Sequence, residues 1–301
     1  MPQFVAMNTD VHKTPPVVFR THCRPGSGLR SVAATALVAG LALAQVSQAT
    51  ILVSEAFNDT AGDLSGNSGG TGFSGAWSGG GGATGNQVLA TSIFEPSDPS
   101  ARSIQIASNA SVTARSLSAT YATGGATTYY VSFLFNASPF QGGTGEYAGI
   151  TLAGPGAGDG LFMGMTGNSG QLGFDWQNRG EGISPATSST NYLVLVEIKA
   201  GVGSTTTVSM FASTDLSMSG TALLGTTPIG LVTNEPNFTF DSVNIAGGYG
   251  TGSIQIGRFA IADDANEAVA FSGISAVPGS GGVMLAMLGT TVLGGRRRRR
   301  V

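Results

Sequence analysis

The side chains that most often carry catalysis are nearly absent from this chain. Of its 301 residues two are histidine and one is cysteine, and His12, His22 and Cys23 all fall within the first 23 positions. The chain beyond Cys23 cannot build a Ser-His-Asp triad, a cysteine nucleophile or a His/Cys zinc site. Three chemistries remain: paired carboxylates, a Tyr/Arg/Lys lyase set, and a calcium site made of oxygens. A retaining glycosidase needs two carboxylates about 5–5.5 Å apart across the scissile bond. Glu197 stands alone in Leu195–Lys199, Asp175 alone beside Trp176, and Glu146 alone in a Gly-rich turn. Asp263 and Asp264 are adjacent, so their side chains diverge, and they read as a helix cap.

For a lyase, Tyr147, Tyr192 and Arg179 are the available members, and nothing in their spacing joins them. Tyr192 reads first as a strand residue. A glycan-stacking platform is a further option: Trp176, Gln177, Asn178 and Arg179 lie where a strand enters a polar loop, which combines a ring face with hydrogen-bonding groups. Core packing is the first reading for Trp176, and more so for Trp77 among its glycines. For calcium, Asn58, Asp59, Asp63 and Asn67 offer oxygens, with Asp59 and Asp63 the candidate carboxylates. Calcium takes six to eight oxygens, this spacing lacks the calcium-loop pattern, and Asx-turns account for the same residues. No cofactor is expected.

The elements that position these residues are strands. Alternation or β-branched runs mark Ile51–Phe57, Ser103–Ile106, Val112–Leu117, Thr127–Asn136, Tyr147–Leu152, Leu161–Thr166, Gln171–Trp176, Tyr192–Lys199, Thr205–Ser213, Phe238–Ile245 and Ser253–Ala260. Gly, Asn, Ser and Pro clusters separate them. Only Asp263–Phe271 reads as a helix, capped by Asp263. With 47 glycines and 10% charged residues against 41% hydrophobic ones, the chain suits one large, loop-rich all-β sandwich. Asp59–Gly85 is Gly-rich but carries Leu64, Phe73 and Trp77 as anchors, and it belongs to the fold rather than to a linker.

Both ends have a different character. Basic residues up to Arg30 precede the apolar run Ser31–Ala44, and small residues through Ala49 allow a cut between Ala49 and Thr50. That order is a secretory signal and implies Sec-type export. At the other end Val277-Pro278-Gly279-Ser280 leads into apolar Gly282–Leu293, then Arg296, Arg297, Arg298, Arg299 and Arg300. Such a run makes roughly 20 Å of helix, short of the ~30 Å hydrocarbon core, and its arginines stay cytoplasmic. Between the ends, residues 50–275 hold five basic side chains against sixteen acidic ones, a net charge of −11, which disfavours nucleic acid as a partner.

The tail resembles the PEP-CTERM sorting signal of Gram-negative bacteria, with Val277-Pro278-Gly279-Ser280 in place of Val-Pro-Glu-Pro. The resemblance implies transient anchoring in the inner membrane, recognition by an exosortase-like enzyme, and delivery to the cell surface or extracellular matrix. A second resemblance lies in Glu55-Ala56-Phe57, Gly62-Asp63-Leu64, Gly69–Phe73 and Ala76-Trp77, with Tyr129–Phe133, Leu161–Gly164, Tyr192–Lys199 and Ile256-Gly257-Arg258 further on. These are similar to concanavalin A-like jelly-roll domains of exported bacterial proteins. The expected organisation is a signal peptide over 1–49, a jelly-roll β-sandwich over 50–272, and a sorting segment with a short apolar helix over 273–301. The expected function is non-catalytic, with extracellular polysaccharide as a partner; a glycan-acting hydrolase or lyase is the alternative. Laminarinase-type hydrolases of this fold carry a Glu-apolar-Asp-x-x-Glu strand, and no such cluster occurs here.

Overall fold

The computed structural model describes residues 49–80, 84–138, 146–155, 160–166, 171–176, 181–184, 189–200, 205–250 and 252–274. Residues 1–48 of the expected signal peptide, residues Gln177, Asn178 and Arg179, and the tail with Val277, Pro278, Gly279 and Arg296 to Arg300 lie outside the described residues. In chain order the strands are β1 (Ile51–Glu55), β2 (Gly62–Asp63), β3 (Gln87–Val88), β4 (Ile104–Ile106), β5 (Asn109–Ala122), β6 (Tyr129–Ser138), β7 (Tyr147–Ala153) and β8 (Gly160–Thr166). They continue with β9 (Gln171–Trp176), β10 (Glu181–Ser184), β11 (Asn191–Ala200), β12 (Thr205–Ser213), β13 (Gly230–Pro236), β14 (Thr239–Gly248) and β15 (Ser253–Ala262). Helix α1 (Gly220–Leu224) precedes β13 and α2 (Ala265–Ser272) follows β15.

The strands form two antiparallel sheets, the expected all-β sandwich. The larger runs β13-β12-β11-β6-β15-β4-β3-β2, with β1 also paired to β15; the smaller runs β10-β9-β8-β7-β14-β5. Period-two alternation sends Val131, Phe133 and Phe135 of β6 and Ile254 and Ile256 of β15 inward to meet Ile150, Met163 and Phe174 of the smaller sheet. A second apolar cluster lies on the outer face of the larger sheet. There α1, α2 and Phe94 cover Leu134, Leu193, Leu195 and Phe211.

The sequence pattern places the helix one residue early. Asp264, not Asp263, is the cap of α2, accepting from Asn266 N at 2.8 Å and Glu267 N at 3.2 Å. Asp263 instead binds Thr50. Helix α1, with Ser219 as its cap, is too short to leave a periodic trace.

The Gly-rich stretch is part of the fold, as its anchors suggest: Leu64 and Trp77 are buried. Thr71 exchanges two backbone hydrogen bonds with Ser54 of β1, while Ser74, Ser78 and Gly72 bond to the edge strand β5. One segment thus binds both sheets and covers an edge that would otherwise be open. Glycine is required where it runs: Gly70 has φ +77°, and a Cβ there would stand 2.2 Å from the Ser54 carbonyl oxygen.

Beneath this segment Arg115 of β5 meets Glu55 of β1 at 2.7 Å, joining the two sheets. The pair is almost inaccessible, with Glu55 1% and Arg115 4% exposed. Arg115 also donates to the Gly75, Gly69 and Ser68 carbonyls at 2.6, 2.6 and 3.0 Å and lies 4.1 Å from the Phe73 ring centroid. Glu55 accepts from Phe57 N at 3.0 Å and Trp77 Nε1 at 3.3 Å. Burial pushes the Glu55 carboxyl above its ordinary range, and these hydrogen bonds and the Arg115 charge pull it part of the way back.

Replacing Arg115 by Met strands a buried carboxylate, for which we expect a loss of about 3–5 kcal/mol in urea unfolding at neutral pH. A carboxyl whose folded pKa is raised contributes stability below its unfolded pKa and loses it as pH rises through the folded value. The Arg115→Met deficit should therefore shrink as pH falls toward 4.5. A deficit that is flat with pH would show that Glu55 is not the charge left behind.

Candidate functional site

Trp176 does not form a stacking platform. It ends β9 on the inward face, is 1% exposed, and meets Phe238 edge-on with ring centroids 4.6 Å apart. Its Nε1 has no hydrogen-bond partner. The alternation of Leu172, Phe174 and Trp176 against Met165, Met163 and Leu161 of β8 fixes this direction.

Of the lyase candidates, Arg179 lies outside the described residues, and the two tyrosines stand on different sheets. Tyr147 lies in β7 of the smaller sheet, edge-on to Phe162 at 6.2 Å, whereas Tyr192 of β11 packs against the core from the larger sheet. A different cluster does form: Tyr130 Oη is 3.5 Å from Glu197 Oε1, and Lys199 Nζ is 3.1 Å from Glu197 Oε2. Burial pushes the Tyr130 hydroxyl up, and the charges of Glu197 and Asp264 add to the shift. That keeps the Tyr130 hydroxyl protonated, and carboxylates beside it repel a uronate substrate.

Asp63 Oδ1 accepts from Ser65 N at 2.9 Å and Asn67 Nδ2 donates to the Asp63 carbonyl at 3.2 Å, a local turn of the Asx kind. Asp59 lies near the Glu55–Arg115 pair, whose ionisation its charge influences. Among the described residues no group of three His, Cys, Asp or Glu side chains converges.

The feature that sequence reading missed is a row of amides on the outer face of the larger sheet. Gln87 of β3 pairs with Gln105 of β4, Gln105 with Gln255 of β15, Gln255 with Asn136 of β6, and Asn136 with Asn191 of β11. At the interstrand spacing these five positions span about 19 Å. Its signal was available: Ile-Gln-Ile occurs at 104–106 and again at 254–256, and the two copies pair with each other in register.

At the Asn end the row is closed. Asn136 Nδ2 donates to Asn191 Oδ1 at 2.7 Å, and Asn191 Nδ2 donates to the Ile93 carbonyl at 3.1 Å. The loop that does this is tied down by Glu95, whose two oxygens accept from Arg258 Nη2 at 2.8 Å each. At the Gln end the row opens into a cleft of ≈ 450 Å³ lined by Thr84, Gln87, Gln105, Ser108 and Tyr249. Tyr249 is buried and donates its hydroxyl to the Ile106 carbonyl, fixing the floor. Ser103 Oγ bonds Gln255 Oε1 at 2.9 Å. Gln105 has no side-chain hydrogen bond among the described residues, and no charged side chain lines the cleft. The arrangement can exchange hydrogen bonds with a neutral polar ligand.

No family model and no curated protein matches the sequence. Among solved structures, the chain is similar to an endo-β-1,4-glucuronan lyase from the fungus Trichoderma reesei, at 11% identity over 58% of this chain and 86% of that one, TM-score 0.40. It is similar to a mutant of the alginate lyase Aly36B in complex with alginate tetrasaccharide, at 11% identity over 70% and 95%, TM-score 0.40. It is also similar to the T. cruzi calreticulin globular domain, at 12% identity over 73% and 91%, TM-score 0.43. Identities this low bear on the fold alone, and no activity is carried over.

Trp176→Ala should cost about 3–5 kcal/mol by opening the core. Trp176→Phe, which removes the unpartnered N–H and keeps a ring, should cost far less. Negligible loss in both variants on chemical unfolding would place Trp176 at the surface instead.

Proposed function

We propose that the protein is exported by Sec-type machinery, sorted through its C-terminal tail by an exosortase-like enzyme, and retained in the envelope or matrix. There it is a non-catalytic sandwich that contacts neutral polysaccharide through the cleft at Gln87 and Gln105. The observation that carries the ligand reading is the uncharged amide and hydroxyl lining, with Gln105 unengaged at its centre. Export is supported by the order of basic, apolar and small residues before Thr50. The excess of acidic residues in 50–275 opposes polyanionic partners, nucleic acid included.

Two measurements test this. Mass spectrometry of protein recovered from its native envelope should give an N-terminus at Thr50 and no Arg296–Arg300; an intact tail on surface-exposed protein would remove the sorting reading. On a panel of immobilised glycans, neutral polymers should bind and polyuronates should not, with no release of reducing ends or unsaturated sugars. Gln105→Ala should weaken binding by about 0.5–1.5 kcal/mol, the worth of one hydrogen bond. Unchanged binding in a Gln87/Gln105 double alanine variant would rule out this cleft.

A further inference from the structure

Thr50 and Asp263 are joined by two hydrogen bonds. Thr50 N donates to Asp263 Oδ1 at 2.6 Å, and Asp263 N donates to the Thr50 carbonyl at 3.2 Å. The contact extends the β1–β15 ladder by one position beyond the Ile51–Ala262 pair. Asp264 is already committed to capping α2, whereas among the described residues the Asp263 carboxylate bonds Thr50 alone. Both Thr50 and Asp263 are exposed, so a charge on either is readily hydrated.

We propose that cleavage between Ala49 and Thr50 completes this contact as an ion pair that locks the start of β1 to the turn before α2. In the uncut chain the Thr50 nitrogen is a neutral amide with one N–H. Hydrolysis breaks the Ala49–Thr50 C–N bond: the water oxygen goes to the Ala49 carboxylate, and the nitrogen becomes an ammonium with three N–H groups. The new cation appears on the atom that already donates to Asp263 Oδ1, so a hydrogen bond with one charged partner becomes one with two opposite charges. The position of the cut matters. With Ala49 retained the charge sits one residue away, and with Thr50 removed both hydrogen bonds are lost. Processing then does more than detach a leader, since it seals the exposed end of the strand that carries Glu55. The inference rests on the export reading, because a signal peptidase must make the cut.

The test compares chains that all end at Val301. One begins at Thr50, released by site-specific proteolysis of a leader; the other keeps Ser47-Gln48-Ala49 in front. Each is made with and without Asp263→Asn. The buried hydrophobic core lies within Val53–Val269, so both lengths retain it. The chain beginning at Thr50 should melt about 2 °C higher in low salt, the gap should narrow in ~1 M salt, and Asp263→Asn should abolish it. Equal melting of the two lengths, or a gap that survives Asp263→Asn, would overturn the pairing. N-terminal sequencing of native protein decides the cut by itself: a start other than Thr50 defeats the processing step whatever the melting data say.

Discussion

A sandwich of two sheets must be closed at its ends, and here closure depends on one buried cation. Arg115 projects from β5 toward Glu55 on β1, and its remaining donors go to the carbonyls of Ser68, Gly69 and Gly75. Those carbonyls belong to a segment with too few side chains to pack for itself. A guanidinium suits the task because its planar fork reaches several acceptors at once while its face rests on Phe73. The glycine content follows from this geometry. The segment passes so close to β1 that a Cβ at Gly72 would stand 2.2 Å from the Leu52 carbonyl oxygen. The buried pair is not itself a large source of stability, since desolvation opposes it; its effect is to fix where the segment goes.

The outer face of the larger sheet is divided by a second use of the same device. Arg258 sits where the β15 register slips between Gly257 and Phe259, and its grip on Glu95 holds Phe94 over Gly257 and Leu134. From there α1 and α2 cover the apolar part of the face. What remains uncovered is the Gln end of the amide row. The cleft is therefore the remnant left when the apolar surface has been hidden, and its polar lining is what a solvated remnant requires.

The sheets were legible from alternation, because period two and burial on one face leave a direct trace in β6, β11 and β15. Direction at strand ends was also legible where the pattern was followed through: Leu172 and Phe174 point inward, so Trp176 must as well. The cap of α2 was misplaced by one residue because Asp263 and Asp264 are chemically alike and only the ladder with Thr50 distinguishes them. The amide row escaped notice because each glutamine occupies an ordinary outward position. Its meaning arises from register between strands about 150 residues apart, which no local window contains.

Charge placement links the fold to the kind of surface it offers. Four of the five cations in residues 50–275 lie among the described residues. Arg115, Arg258 and Lys199 are matched to Glu55, Glu95 and Glu197, and Arg102 is turned onto the carbonyls of Ala90 and Pro99. Ion pairing thus takes up three of these four charges, and carboxylates remain in surplus. A polyuronate or phosphate chain approaching such a surface meets net repulsion, which Arg102 offsets only in part. The same surplus does not penalise a neutral glycan, whose hydroxyls can exchange water for amides at little electrostatic cost. Scarcity of charge and excess of acid therefore act together, and both favour an uncharged ligand at the open stretch of amides.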